Sequence, residues 1–199
     1  MRFIFRYALF FFLIGSLIAF TSCDKEIEAT DFGIFSSQDA NTVIMNGVID
    51  GNTPQYWSNY IAVFPDTDKM IMRDCPGSDD DEANLKAARQ IRTQGVDIHL
   101  PANAEIASGA VDLFLAGTKR TREAGSKIGV HSWSDGQNDA TAFEVGHEKH
   151  QPYIDYYEEM GFLQADAEAF YYFTINAAPA AEIHWMTDGE IEEYKLLKN

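Results

Sequence analysis

The chain has 199 residues and is strongly acidic: 31 aspartates and glutamates stand against 15 lysines and arginines, for a formal charge of −16. A surface of this sign repels phosphate groups, so we expect no nucleic acid among the partners of this protein and no attraction to anionic lipids. No repeat of solenoid period is present, and the length suits one globular domain.

The N-terminus has the pattern of a secretory signal peptide. Arg2 and Arg6 precede an apolar run at residues 8–20, which is shorter than most membrane-spanning helices. We therefore predict a signal peptide at residues 1–22, and the alternative is a signal anchor that is not cleaved. Removal of this segment leaves 13 basic residues against 31 acidic ones and a formal charge of −18.

Cys23 is the predicted point of attachment to a membrane. The segment Phe-Thr-Ser-Cys at residues 20–23 resembles a bacterial lipoprotein box, in which the cysteine is acylated and becomes the first residue of the mature protein. Acyl chains bind membranes because each buried methylene contributes about 0.8 kcal/mol. We expect an exported cell-envelope lipoprotein, on the periplasmic face of the inner or outer membrane or at the cell surface. With Cys23 modified, Cys75 has no partner for an intramolecular disulfide.

The rest of the chain predicts a tether and then one domain. Residues 23–40 are polar and are expected to form a flexible tether to a domain at residues 41–199. Apolar periodicity and breaker residues predict alternating elements in the domain. In chain order these are a strand and turn at 42–49, a helix at 56–64, a strand at 69–73, a helix at 79–92, a strand at 96–100, a helix at 108–116, a strand at 127–133, helices at 152–160 and 165–173, a strand at 182–186 and a helix from residue 188. This alternation indicates an α/β domain with a largely parallel sheet and C-terminal helices.

Three turns of this domain are candidate functional segments. Ligands of parallel sheets bind beyond the carboxyl ends of the strands, which here are the turns after Arg73, Leu100 and Val130. These turns contain Pro76-Gly77-Ser78, Ser108-Gly109 and His131.

The same segments, in this order, resemble the Clp protease proteolytic subunit and its relatives in the Clp/crotonase superfamily. In that family a strand ends in Ser-Pro-Gly-Gly, a helix opens with Ala-Ser and is followed by an Ala-Gly turn with a basic residue, and a third strand ends at His. The matching residues are Arg73-Asp74-Cys75-Pro76-Gly77-Ser78, then Ile106-Ala107-Ser108-Gly109 with Ala116-Gly117-Thr118-Lys119-Arg120, then Ile128-Gly129-Val130-His131. The similarity covers residues 43–197, is greatest to small exported members with a serine protease pattern, and implies a Clp/crotonase-like fold of repeated β-β-α units.

The resemblance also implies a chemistry. Ser108 matches the nucleophile of the family and His131 its general base, and a hydroxyl attacks a carbonyl poorly unless an imidazole takes its proton. The N–H groups of Gly109 and of the Gly77–Ser78 turn match the oxyanion donors, each typically worth about 3–4 kcal/mol in the transition state. We therefore expect a membrane-anchored serine hydrolase, a peptidase that acts by acyl transfer on a peptide or another acyl substrate.

Two departures from the family pattern favour a different interpretation, a non-catalytic envelope lipoprotein that serves as a binding or assembly module. Ser78 replaces the second glycine of the oxyanion turn, where a side chain is expected to crowd the substrate or tilt the donor. The aspartate that orients the histidine is replaced by Ile183. The remaining carboxylates or carbonyls that could replace it are the neighbouring Glu182, Asp135, Asp139, Asp155 and a backbone carbonyl.

Few other ligands are expected. His147 and His150 lie three residues apart, but no third ligand is well placed, so the sequence predicts no metal and no cofactor. An acyl-CoA enzyme of crotonase type is a third alternative, which an exported location disfavours. The family commonly assembles into rings, which implies by analogy a homo-oligomer, a trimer or a hexamer.

Overall fold

The computed structural model describes residues 32–199, so the predicted signal peptide and Cys23 lie outside the described residues. The strands are β1 (Phe35–Ser37), β2 (Thr42–Met45), β3 (Lys69–Met72), β4 (Asp97–Leu100), β5 (Glu105–Ala107), β6 (Arg120–Arg122), β7 (Lys127–Val130) and β8 (His184–Trp185). The helices are α1 (Thr53–Val63), α2 (Asp81–Gln94), α3 (Gly109–Leu115), α4 (Gln151–Glu159), α5 (Gln164–Ala177) and α6 (Asp188–Glu193). None of these helices is long and apolar enough to cross a membrane.

The strands form two sheets. The larger has the order β1-β2-β3-β4-β6, in which only β1 is antiparallel to its neighbour, and the smaller has the order β5-β7-β8 with β5 parallel to β7. In the segments β4-β5-α3 and β6-β7-α4, the first strand joins the larger sheet and the second joins the smaller one. The predicted α/β architecture with largely parallel strands and C-terminal helices is confirmed.

Cys75 connects the two sheets just beyond the carboxyl end of β3. Its N–H donates to the Glu105 carbonyl at 2.9 Å, and its carbonyl accepts from the Ala107 N–H at 3.0 Å. The loop after β3 is thereby aligned with β5, the strand that leads to Ser108. This pairing is what brings the first two predicted functional segments to one place.

The core is formed by alternate residues of the central strands, as the period of a strand requires. These fully buried side chains are Val43, Met45, Met70, Met72, Ile98 and Leu100. Helix α2 contributes Ala88 and Ile91 to the same core. Its acidic start follows from helix capping, because Asp80 accepts a hydrogen bond from the Ala83 N–H at 2.9 Å and Asp81 lies in the first turn.

The predicted tether at residues 23–40 is wrong from Phe32 onward. Phe32 and Phe35 are only 9% and 3% exposed, and β1 pairs with β2 so that Phe35 lies opposite Met45. The Phe35 ring also packs edge-on against Trp57, with ring centroids 5.3 Å apart. The strand has three residues, two of them serines, and so gives no apolar pattern in the sequence.

The last residues of the chain cover the edge of β6. The Arg120 N–H donates to the Lys198 carbonyl at 2.7 Å, and the Lys198 N–H donates back to the Arg120 carbonyl at 3.0 Å. The Arg120 side chain is 4% exposed and donates to the carbonyls of Leu196 at 2.6 Å, Leu115 at 3.2 Å and Lys195 at 3.4 Å. Burial lowers the pKa of Arg120 to about 10, so the guanidinium stays cationic at neutral pH.

Candidate active site

Ser108 lies in a tight turn between β5 and α3. Its backbone has φ 55° and ψ −134°, a combination that residues with a side chain rarely adopt. Two hydrogen bonds hold this turn: the Ser108 N–H donates to the Gly129 carbonyl at 3.0 Å, and the Ser108 carbonyl accepts from the Val111 N–H at 2.8 Å. A strained serine at a strand-to-helix turn is typical of nucleophiles, because the turn projects the hydroxyl beyond the sheet.

Gly77 lies directly against Ser108. A Cβ built on Gly77 would come within 2.9 Å of Ser108 Cβ and 3.3 Å of Ser108 Oγ, and its φ of 138° also disfavours a side chain. The Gly77 carbonyl accepts from the Ile49 N–H at 3.0 Å, which fixes the turn. Within residues 32–199, no acceptor is found for the N–H groups of Gly77, Ser78 or Gly109. The structure therefore brings both predicted oxyanion segments together, next to Ser108 and with unpaired donors.

Ser78, which replaces the second glycine of the family pattern, is accommodated by Gly109. A Cβ on Gly109 would lie only 2.2 Å from Ser78 Oγ and 2.8 Å from Asn84 Nδ2, so the Ser78 side chain occupies the space that any side chain at residue 109 would need. Ser78 Oγ donates to Asp81 Oδ1 at 2.7 Å, and Asn84 Nδ2 donates to the Gly109 carbonyl at 2.8 Å. The Ser78 hydroxyl is thereby held against α2 and α3.

His131 follows the last residue of β7 and lines the same cavity as Ser108. Its Nδ1 lies 2.8 Å from the Ser132 carbonyl oxygen. Because a carbonyl oxygen can only accept, this contact places the proton on Nδ1 and leaves the Nε2 lone pair free, as a general base requires. The structure shows no hydrogen bond between Ser108 Oγ and either ring nitrogen of His131, both of which lie in the described range.

The carboxylates that the sequence offered as partners of His131 are occupied elsewhere or exposed. Asp135 binds Lys149 Nζ at 2.6 Å, and this contact together with backbone N–H donors lowers its pKa to about 2. Asp155 accepts from Gln151 Nε2 at 2.6 Å, and Asp139 accepts from the Ala180 N–H at 3.4 Å. Glu182 is exposed and is not brought to His131. Of the sequence-based alternatives for orienting the imidazole, the backbone carbonyl is the one in contact with it.

A cavity of about 50 Å³ lies beside Ser108 and His131. Part of its wall comes from α4 and α5, whose aromatic side chains pack on one another and on Trp133. The rings of Trp133 and Tyr153 are stacked at 6.2 Å, and those of Tyr153 and Tyr171 at 5.9 Å. Ser108 lines this cavity, so a group bound there would be close to the serine.

Asp112 is the residue of this cavity that sequence reasoning missed. Tyr157 Oη donates to Asp112 Oδ1 at 2.8 Å, and Tyr156 Oη donates to the Asp112 carbonyl at 2.6 Å. Burial raises the pKa of the Asp112 carboxyl to about 7, the Tyr157 hydrogen bond opposes this, and nearby Asp81 adds to it. The spacing in the sequence could have indicated Asp112. It comes four residues after Ser108, about one helical turn, so the two residues lie on the same side of α3.

No family model matches the sequence, and no curated protein is detectably similar to it. Among solved structures, a serine variant of the 1510-N membrane-bound stomatin-specific protease superimposes with a TM-score of 0.51 at 17% identity, over 77% of this chain and 75% of that chain. The 1510-N membrane protease specific for a stomatin homolog from Pyrococcus horikoshii gives 0.49 at 16% identity, over 78% and 69% of the two chains. A lysine variant of that protease in complex with a substrate peptide gives 0.49 at 15%, over 80% and 75%.

The superposition with a TM-score of 0.51 shows a shared fold at low sequence identity. Together with the two sheets and their β-β-α repeats, it confirms the prediction from the sequence motifs: this chain has the α/β fold of Clp protease-like proteins.

Proposed function

We propose that this protein is a serine hydrolase of the cell envelope that cleaves peptides by acyl transfer. The observation that carries the proposal is the set of groups around one hydroxyl. Ser108 lies in a strained turn, unpaired N–H groups of Gly77, Ser78 and Gly109 lie beside it, and His131 lines the same cavity. The fold is one that a membrane-bound stomatin-specific protease also uses.

In the proposed reaction Ser108 Oγ attacks the substrate carbonyl carbon and His131 Nε2 takes the hydroxyl proton. The Ser132 carbonyl, which accepts from Nδ1–H, holds the ring and stabilises the imidazolium that forms. The amides beside Ser108 bind the oxyanion of the tetrahedral intermediate. His131 then gives its proton to the leaving amine, and a water molecule releases the acyl group from Ser108 by the same steps.

Because a neutral carbonyl stabilises an imidazolium less than a carboxylate does, we expect slow turnover. The described structure shows no hydrogen bond between Ser108 and His131. This is compatible with catalysis, since catalytic hydrogen bonds often shorten only when substrate binds.

The second candidate is the non-catalytic binding or assembly module. The same two observations favour it: the described structure shows no Ser108–His131 hydrogen bond, and no carboxylate contacts His131. The two candidates make opposite predictions for an activated serine.

The test is labelling of the purified protein with a fluorophosphonate probe, which reacts only with activated serines. We expect labelling of the wild type, loss in Ser108→Ala, and a decrease of about a hundredfold or more in rate in His131→Ala. Ser58→Ala and His147→Ala, which lie outside the cavity, serve as matched controls and should label as the wild type does. Absence of labelling in a folded wild-type protein would reject the hydrolase and leave the binding module.

We also propose that Cys23 carries the lipid that anchors the protein. Metabolic labelling with a palmitate analogue should mark the wild type, and Cys23→Ser should abolish the label and release the protein from membranes. Cys75→Ala is the matched control, because Cys75 is fully buried in the core and unavailable to an acyltransferase. Labelling that persists in Cys23→Ser would exclude this anchor.

A further inference from the structure

The cavity beside Ser108 contains polar atoms without partners. Asp112 is half-buried; its Oδ1 accepts from Tyr157, but no donor is found for its Oδ2 in the described range of the chain. Thr174 lines the same cavity, and its hydroxyl is buried without a hydrogen-bond partner. Buried polar atoms left unpaired are costly, and in native proteins they commonly mark a place where a ligand or water binds.

The tyrosine hydroxyls of the cavity wall are already engaged. Tyr153 Oη donates to Asp81 Oδ2 at 2.9 Å, and Tyr171 Oη lies 2.9 Å from Trp133 Nε1 and 2.7 Å from His150 Nδ1. Rotation of one of these tyrosines toward Asp112 would break an existing hydrogen bond. These tyrosines therefore supply no second donor to Asp112, and a group bound in the cavity would supply one.

The electrostatics of the cavity favour a cation. Asp81 and Asp112 both line it, whereas its lining residues include no lysine or arginine. Burial raises the pKa of Asp112 to about 7, and no basic residue lowers it, so a cation brought close to this carboxyl would restore the favourable charged form.

The size of the cavity restricts the cation to a compact group. A volume of about 50 Å³ accepts a few water molecules or one ammonium group with its adjoining carbon. A guanidinium is planar and wider, and it needs more acceptors than one free carboxylate oxygen and one hydroxyl provide.

We propose that the cavity binds a primary ammonium group of the substrate, held by Asp112 and Thr174, and that it makes the hydrolase selective for substrates carrying such a group near the attacked carbonyl. This proposal rests on the proposed function of Ser108. The ammonium can belong to a lysine side chain or to the free amino terminus of a peptide. Asp112 is thus a specificity-determining residue, one helical turn from the nucleophile.

Three p-nitrophenyl esters distinguish these sources. Nα-acetyl-norleucine ester is neutral, Nα-acetyl-lysine ester adds a side-chain ammonium to nearly the same shape, and unblocked norleucine ester carries an α-ammonium. We expect kcat/KM for one of the two ammonium esters to exceed that for the neutral ester by about tenfold or more, each corrected for spontaneous hydrolysis. In Asp112→Asn this ratio should fall to near one. Asp155→Asn, an exposed carboxylate on α4, should keep the wild-type ratio.

The outcomes separate the two proposals. Hydrolysis that depends on Ser108 but shows no ammonium preference, or a preference that persists in Asp112→Asn, would overturn the cation site and leave the hydrolase intact. No Ser108-dependent hydrolysis of any ester would reject the hydrolase instead.

A binding measurement tests the cation site even in that case. Ethylammonium chloride should raise the melting temperature of the wild type saturably above the effect of equal sodium chloride, and this difference should vanish in Asp112→Asn. Equal effects of the two salts on the wild type would reject the site.

Discussion

Ser108 adopts a backbone conformation that neighbouring hydrogen bonds impose on it. At φ 55° and ψ −134° a side chain is strained, typically by about 1–3 kcal/mol, whereas glycine is not. The strain is located at Ser108, the residue to which we assign the chemistry. A substitution that relieves this strain should raise the free energy of unfolding.

We expect Ser108→Gly to be more stable than Ser108→Ala by about 1 kcal/mol, the reverse of the usual order of these residues. Both variants lose the hydroxyl, so the comparison isolates the backbone. Urea denaturation followed by circular dichroism measures the difference. If Ser108→Ala proves the more stable of the two, the turn is not strained in solution.

Asp112 should make stability depend on pH. Its folded pKa of about 7 lies above the ordinary value of 3.8, so between these values the folded state holds a proton that the unfolded state releases. The contribution of Asp112 to stability is therefore present at acidic pH and is lost as pH rises toward 7. We expect Asp112→Asn to be more stable than the wild type by on the order of 2 kcal/mol at pH 8 and equal to it at pH 4. Melting temperatures across this range provide the check, and a stabilisation that is independent of pH would argue against titration of Asp112.

Sequence motifs identified some residues of the site and not others. Ser108, His131 and Gly77 could be named as candidates because they occur in an ordered series of segments at strand ends. Asp112 was missed because an acidic residue in the first turn of a helix is common, and only the tertiary structure shows that it lines a cavity and accepts a hydrogen bond from Tyr157. The sequence could name a backbone carbonyl as one possible partner of His131. It could not indicate the carbonyl of Ser132 in particular, since every residue has a carbonyl.

At the scale of elements, the site depends on contact between the Gly77–Ser78 turn and the start of α3. Ser78 Oγ lies where a side chain on Gly109 would point. The serine in the oxyanion turn and the glycine after the nucleophile are therefore a matched pair.

This pairing predicts coupling. We expect Gly109→Ala to destabilise the protein by about 1–3 kcal/mol through overpacking. Ser78→Gly removes the obstructing side chain, so in this background Gly109→Ala should cost about 1 kcal/mol less. The destabilisation that remains would come from the contact with Asn84. A double-mutant cycle of unfolding free energies measures this. Additive effects would mean that the two residues are not in contact.

The elements that could be predicted from the sequence are those with several apolar residues in period. The parallel strands β2, β3, β4 and β7 and the principal helices have such patterns. Strands β5 and β6 are three residues long and contain charged residues, so their positions are determined by pairing partners distant in the chain. Strand β1 was assigned to the tether because two of its three residues are serines, which gives no apolar pattern.

At the scale of the whole molecule, Arg120 connects the end of the chain to the larger sheet. It is a buried cation with carbonyl acceptors and no carboxylate partner among its hydrogen bonds in the described structure. Removal of its guanidinium would leave several buried carbonyl oxygens without donors, and each typically costs about 1–3 kcal/mol.

We therefore expect Arg120→Met to lower the free energy of unfolding by about 3 kcal/mol or more, with loss of protection from proteolysis at residues 195–198. Lys119→Met is the control, because Lys119 is exposed and its change should have an effect of less than about 0.5 kcal/mol. Urea denaturation and limited proteolysis report the two effects. Similar stabilities of the two variants would show that the buried hydrogen bonds contribute little.

The attachment of residues 195–198 to Arg120 also bears on the synthesis of the protein. A ribosome makes the chain from its N-terminus, so β6 and its buried guanidinium are formed about 75 residues before the carbonyls that satisfy them. Until those last residues leave the exit tunnel, the edge of the larger sheet stays uncovered and Arg120 lacks its acceptors. The native domain can therefore be completed only after residues 195–198 have been translated and have left the exit tunnel.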